Sequence, residues 1–204
     1  MPATRKHWDQ VYAAKLPTEL SWYQPRPERS LALVKSAAPE VSVSILDVGG
    51  GASRLVDELL SEGYSDLSVL DISQTALNRS RDRLGLLADK VSWIAADITQ
   101  WTPHRTWDVW HDRAVFHFLT ATQDQDAYIA ALIAGTRPGS VAVMSSFSLE
   151  GPERCSGLPV QRYSPTTLAA RIGDRFEFVS GDSESHTTPW GSTQNFAYAV
   201  LRRR

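Results

Sequence analysis

The chain has 204 residues, 42% of them apolar and 22% charged, with a net charge of −2. This is an ordinary globular composition, long enough for one sizeable core, and it excludes a disordered chain and a basic nucleic-acid footprint. A single cysteine, Cys155, excludes an internal disulfide and a multi-thiolate metal site. The only basic run, Arg202-Arg203-Arg204, reads as a solvated tail. The start Met-Pro-Ala-Thr-Arg-Lys-His-Trp is too polar for a signal peptide, and no apolar run approaches ~18 residues. A soluble cytoplasmic protein with no membrane partner and no bound metal is expected.

Taken in order, residues 1–40 are aromatic, proline-broken and weakly periodic, and they read as a helical arm over the rest of a single domain. Val43 to Val48 is a buried strand. Leu55, Val56, Leu59 and Leu60 then fall on one helical face that Gly63 terminates. Leu67 to Leu70 is a second strand. Ser73 can cap a helix carrying Ala76, Leu77 and Leu84, closed by Gly85. Val91 to Ile94 and Trp107 to Trp110 are the third and fourth strands. Thr122 and Gln125 have capping-box spacing ahead of Tyr128, Ile129, Leu132 and Ile133. Arg137-Pro138-Gly139 turns the chain into a fifth strand, Val141 to Met144. Ser164-Pro165 is an N-cap followed by proline at the first helical position. No helix separates Phe176–Ser180 from Phe196–Leu201, so these two form an antiparallel pair. Repeated strand–helix units require right-handed crossovers and a parallel sheet covered on both faces. In such α/β sheets ligands bind at the carboxyl edge, where the arm is expected to pack.

The stretch Asp47-Val48-Gly49-Gly50-Gly51-Ala52-Ser53-Arg54 sits at that edge. A Walker loop needs Gly-Lys-Ser or Gly-Lys-Thr, which is absent. A dinucleotide fingerprint needs a third glycine where Arg54 stands. Asp47 would repel a pyrophosphate but suits a cationic ammonium. Asp71 closes the second strand, where an acid can accept from both ribose hydroxyls, and Asp97 follows the third, within reach of an adenine amino group. Acids and glycines at three successive strand tips want an adenosine with a zwitterionic, positively charged tail and no phosphates.

That pattern resembles class I S-adenosylmethionine-dependent methyltransferases. Asp47-Val48-Gly49-Gly50-Gly51 is similar to that family's glycine motif, Leu70-Asp71-Ile72-Ser73 to its ribose-binding strand end, and Ala96-Asp97-Ile98 to its adenine-binding turn. Trp107-Asp108-Val109-Trp110-His111 resembles its fourth strand, and Arg137-Pro138-Gly139-Ser140 the turn before its fifth. Each match alone is weak; five in order across residues 40–147 are specific. The resemblance implies a Rossmann-like seven-stranded sheet, mostly parallel with a C-terminal antiparallel pair and helices on both faces. It implies S-adenosyl-L-methionine as cofactor, held by Asp47, Gly49, Gly51, Asp71, Ile72, Asp97, Ile98 and His111.

Asp112-Arg113 after the fourth strand resembles the acid–Arg pair of thiopurine and tellurite-resistance-type methyltransferases. Asp112 is expected to fix the Arg113 guanidinium or to bind the methionine end, Arg113 to grip an anionic or soft acceptor, and His117 to orient the acceptor or take a proton. The alternative is a structural ion pair and a packed histidine. No Asn-Pro-Pro-Tyr or Asp-Pro-Pro-Tyr stands here, which argues against methylation of nucleobase amines or glutamine amides. His7-Trp8-Asp9-Gln10-Val11-Tyr12 and Ser21-Trp22-Tyr23-Gln24 resemble the aromatic lid of the same small enzymes, with Trp22 and Tyr23 on the cofactor, where aromatic faces attract a sulfonium.

A long loop, 151–163, lies on the same edge, another, 186–194, joins the last two strands, and loops of that length are often functional. Arg162 and Tyr163 are candidate substrate contacts; Cys155 reads as a bystander thiol and His186 as a loop or strand histidine. The expected activity is methyl transfer to a small molecule: a thiol, a chalcogen or metalloid oxyanion, or a compact metabolite. Protein lysine methylation and, from another class, a nicotinamide-dependent oxidoreductase or nucleotide-binding module are the alternatives.

Overall fold

A computed structural model describes residues 4–204. Its strands are β1 (Ser44–Val48), β2 (Asp66–Asp71), β3 (Val91–Ala95), β4 (Trp107–Arg113), β5 (Thr136–Phe147), β6 (Arg154–Cys155), β7 (Leu158–Pro159), β8 (Phe176–Thr187) and β9 (Thr193–Arg203). Its α-helices are α1 (Arg5–Ala14), α2 (Glu28–Ala37), α3 (Leu55–Ser61), α4 (Gln74–Leu84), α5 (Thr122–Ala134) and α6 (Pro165–Ile172). Seven strands form one sheet in the order β3-β2-β1-β4-β5-β9-β8. The first five pair in parallel, and β9 runs antiparallel to both β5 and β8. β6 and β7 make a separate small hairpin. Among the described residues no helix is long and apolar enough to cross a membrane.

Successive side chains on a strand point to opposite faces, and this alternation builds two cores. Leu46 and Val48 of β1 and Trp110 of β4 pack with Tyr128 and Leu132 of α5 and Leu168 of α6. Ile45 and Val109 face the other way, onto Leu31 and Val34 of α2, Leu55 and Leu59 of α3, and Leu77 of α4. α2 is therefore one of the sheet's covering helices, and only the chain before it forms the arm. Trp8 and Tyr12 of α1 pack with Leu20, Ala52 and Ala76, and Trp22 and Tyr23 pack against that cluster, over the carboxyl edge of the sheet. Asp9 Oδ1 ties the arm down, accepting from Ser73 Oγ (2.6 Å) and Thr75 N (3.2 Å) at the start of α4.

Ser73 caps α4, with Gly85 closing it, and Ser164 caps α6, with Pro165 in its first turn. The expected box at Thr122 does not form. Ala121 is the N-cap of α5, and the Gln125 amide instead donates to Leu119 O (2.7 Å) and Tyr163 Oη (3.1 Å). Arg137-Pro138-Gly139 lies inside β5, as an irregularity in its pairing with β4 rather than a free turn.

Candidate active site

The site grows from the carboxyl ends of β1, β2, β3 and β4. Gly49 leaves β1 at a φ of 69°, and its N–H donates to Leu70 O of β2 (2.6 Å). A Cβ there would overlap Val115 Cγ2, so glycine is required by the neighbouring loop as much as by any ligand. At the end of β4, Ala114 takes a φ of 71°, unusual for a residue with a side chain, and turns the chain into the short helical turn Phe116–Phe118.

A cleft of two lobes opens over these ends. The first is bordered by Leu70, Asp71, Ile72, Ala96, Asp97 and Ile98 and continues to Arg113, His117, Phe118, Phe147, Gln194 and Phe196. The second is bordered by Ser30, Asp47, Gly50, Ser53, Arg54 and His111. Tyr12, Trp22, Val48, Gly49 and Arg113 border both. The expected cofactor residues Trp22, Gly49, Asp71, Ile72, Asp97, Ile98, Asp47, His111 and Tyr23 thus border two adjoining lobes. Gly51 borders neither lobe. A Cβ on it would overlap Asp71 Oδ2, so its bareness lets that carboxylate lie against the backbone.

Asp71 is buried and accepts from Ser73 N (2.8 Å). Burial pushes its pKa up to about 7, with the Asp47 carboxylate adding to the rise. Asp97 is half-buried and turned on its own loop, accepting from Thr99 N (2.9 Å) and Thr99 Oγ1 (2.7 Å). Asp47 Oδ1 lies 2.7 Å from His111 Nδ1, and His111 Nε2 lies 2.9 Å from Ser30 Oγ; all three residues are buried. Asp47 Oδ2 has no partner.

At the other end, Asp112 and Arg113 part company. Asp112 is fully buried on the α5 face and borders neither lobe. It accepts from Tyr128 Oη (2.5 Å), Val115 N (2.7 Å) and Phe116 N (3.1 Å), and burial pushes its pKa up to about 6. The expectation that Asp112 fixes the Arg113 guanidinium is corrected, because adjacent strand residues point to opposite faces. Arg113 instead donates to Tyr198 Oη (3.3 Å) and to Trp22 O of the arm (3.2 Å), lies 3.6 Å from Glu184, and stacks on Phe196 at 4.6 Å. His117 Nδ1 accepts from Phe147 N (3.3 Å), while Nε2 is buried and unpartnered. Burial, with the Arg113 cation adding to it, pushes the His117 pKa down to about 3, so the ring is neutral and its proton sits on Nε2.

Arg162 and Tyr163 are not brought to the cleft. Arg162 donates to Gly151 O (3.0 Å) and pairs with Glu153 (3.0 Å), bracing its own loop. Tyr163 is buried against Phe116 in the α5–α6 core. Sequence reasoning singled out none of Ser30, Phe118, Gln194 and Phe196, and named Tyr12 only as part of the aromatic arm. The aromatic run around residue 118 was a usable signal; Ser30 on α2 offered none. Cys155 does border the cleft, buried, with its thiol pKa pushed up to about 11 by that burial, which keeps it an inert thiol. His186 is a strand histidine whose Nε2 donates to Ser21 O (2.7 Å).

Residues 45–139 match the family model described as a methyltransferase domain. Among curated proteins, the eEF1A lysine and N-terminal methyltransferase of Mus musculus is 25% identical over 120 residues, 58% of this chain but 17% of the relative. That of Bos taurus is 27% identical over 94 residues, 46% of this chain and 13% of the relative. The chain thus spans less than a fifth of the length of either. Among solved structures, the N-methyltransferase NodS from Bradyrhizobium japonicum in complex with S-adenosyl-L-homocysteine superposes with a TM-score of 0.71 at 17% identity, over 96% of this chain and 97% of that one. A structure concerned with conversion of a disulfide bond into a thioacetal group in echinomycin biosynthesis superposes with a TM-score of 0.77 at 23% identity, over 98% and 93%. At these identities the superpositions establish the fold. That fold is a Rossmann-like, mostly parallel sheet, and the methyltransferase-domain match falls on residues 45–139 of it.

Proposed function

We propose that the enzyme methylates a small molecule held between the arm and the end of β4. Asp71 would receive the ribose hydroxyls, Ile72 and Ile98 would flank the adenine beside Asp97, and Asp47 would take the methionine ammonium. The residues fit that group: an acid with a buried, unpartnered carboxylate oxygen borders one lobe and a buried acid the other. Bound there, S-adenosylmethionine supplies an electrophilic methyl on a sulfonium, and the protein's task is to align the acceptor and exclude water.

The observation that carries the acceptor reading is His117. His117, whose Nε2 is buried and unpartnered, borders a chamber walled by Phe118, Phe147 and Phe196. An acceptor with an oxygen, sulfur or nitrogen lone pair would receive a hydrogen bond from Nε2–H, and Arg113 would add positive potential while holding the arm through Trp22 O. A thiol, a chalcogen or metalloid oxyanion, or a compact metabolite meets these terms. The likeness to thiopurine and tellurite-resistance-type enzymes is supported by the aromatic arm rather than by Asp112, which faces away. The curated relatives favour a second reading, protein lysine methylation. Against it, a lysine arrives as a cation and must lose a proton. Here it would meet a guanidinium and a neutral imidazole whose Nδ1 lone pair is engaged.

The test is methyl transfer to a panel of thiols, oxyanions, phenols and a lysine peptide, with His117→Phe and His117→Gln compared on whichever acceptor works. Loss of the donor should lower kcat/KM by roughly 10–100-fold in the Phe variant, with partial recovery in the Gln variant and unchanged S-adenosylhomocysteine affinity. Turnover of the peptide alone, or parental turnover by both variants, would end this reading.

A further inference from the structure

We infer that Ser30 and His111 form a positioning relay that aims Asp47 at the ammonium of the donor's amino-acid end. The inference rests on the assignment of the second lobe to that end.

Asp47 and His111 are direct register partners on β1 and β4, and strand alternation turns both toward α2. Ser30 comes down from α2 onto the same face. The three are linked in a line, Asp47 Oδ1 to His111 Nδ1 at 2.7 Å and His111 Nε2 to Ser30 Oγ at 2.9 Å, with exposures of 4%, 2% and 1%. An imidazole nitrogen facing a carboxylate donates to it, so the Ser30 hydroxyl can donate to the remaining ring nitrogen. That arrangement fixes the ring, occupies one oxygen of Asp47, and leaves the other, Oδ2, buried without a donor.

Asp47 borders the lobe shared with Gly50 and Arg54. A Cβ at residue 50 would overlap Asp47 Oδ2, so the approach to it is open because residue 50 is glycine. A buried carboxylate oxygen without a donor is costly, and a ligand that brings N–H groups relieves the cost. Arg54 lines the same lobe and adds a cation to it, 4.0 Å from Asp57. A group bearing both an ammonium and a carboxylate matches Asp47 and Arg54. Ser30 and His111 border the second lobe and not the adenosine lobe, so their effect falls on the ligand's amino-acid end.

Two probes separate this from general structural support: S-adenosylhomocysteine, which carries the amino acid, and 5′-methylthioadenosine, which has the same adenosine and thioether without it. Calorimetry on the parent, Ser30→Ala, Ser30→Thr and His111→Phe should show a selective effect. Ser30→Ala and His111→Phe should lose about tenfold or more in S-adenosylhomocysteine affinity, the size of losing a hydrogen bond that orients a charged group, with methylthioadenosine binding unchanged. Ser30→Thr, which keeps the hydroxyl, should recover most of the loss. Equal losses for both ligands, or none with Ser30→Ala, would overturn the relay; Ser30→Ala removes only one hydroxyl, so its result stands should His111→Phe fail to fold. A parent that binds the two ligands equally would instead overturn the assignment of the lobe itself.

Discussion

Replacing Asp71 with asparagine should strengthen the empty protein and weaken the liganded one. Asp71 is 5% exposed and its pKa is pushed from 3.8 to about 7 by burial. Between those two pH values the folded state keeps a proton that the unfolded chain has lost. The unliganded protein therefore gives up stability as pH rises through that window and recovers none above it. At ~1.4 kcal/mol per pH unit the rise amounts to roughly 4 kcal/mol, an upper value. An asparagine amide in its place carries no charge to bury but accepts more weakly from Ser73 N. A net gain of about 2 kcal/mol at pH 8, or roughly 4–8 °C in Tm, is expected for a chain of this size. The ligand reverses the sign. Ribose hydroxyls donating to Asp71 favour its ionised form, so S-adenosylhomocysteine binding at pH 6 should release a proton, and affinity should climb toward pH 7. Asp71→Asn should lose ~2–3 kcal/mol of binding and all of the proton release. Scanning calorimetry of the unliganded proteins, and titration calorimetry in buffers of different ionisation heat, read both effects. A variant no more stable than the parent at pH 8, binding within tenfold of it, refutes the reasoning.

Gly49→Ala should destabilise the fold by at least ~1–2 kcal/mol, because it forces a side chain into the left-handed region and against Val115; a second change, Val115→Ala, should recover part of this in urea unfolding, and a parental midpoint for Gly49→Ala would contradict it. Asp112→Ala should cost ~3–5 kcal/mol of stability by stranding Tyr128 Oη and two backbone N–H groups; a parental Tm with a large fall in turnover would restore the catalytic role expected from sequence. Removing residues 1–24 should leave the sheet folded by circular dichroism and speed S-adenosylhomocysteine dissociation, since Trp8, Tyr12 and Trp22 cover the cleft; unchanged dissociation would show that the arm covers nothing.

The parts of the site that were legible are those in which one short segment makes its own geometry. The glycine turn after β1 and the acids ending β2 and following β3 each sit at a strand tip, and parallel pairing brings successive tips to one edge. Asp112 and Arg113 were misjudged because they were treated as a neighbouring pair, although a strand sends neighbours to opposite faces: Asp112 to Tyr128 on α5, Arg113 to Trp22 and Glu184. Period two, applied within β4, would have predicted that separation. Arg162 and Tyr163 follow a loop whose hairpin, β6 and β7, is too short to show a pattern. Gln125 had capping spacing but found Tyr163, 38 positions away.

The sequence by itself determined the order of strands and helices, the caps at Ser73 and Ser164, the carboxyl edge as the place for a ligand, and the chemical type of that ligand, because these follow from local periodicity, turn residues and the charges at strand ends. Only the tertiary structure decided which polar atoms were left without partners. Ser30 meets His111 across 81 positions and the Arg113 guanidinium meets Trp22 O across 91. Such contacts depend on how helices and the arm settle on the sheet, which burial over the whole core fixes and no local stretch encodes. Asp47 Oδ2 and His117 Nε2, with Arg113 Nη2 and Gln194 Oε1, emerge as orphaned atoms of cleft-lining residues only once the other donors and acceptors around them have been assigned.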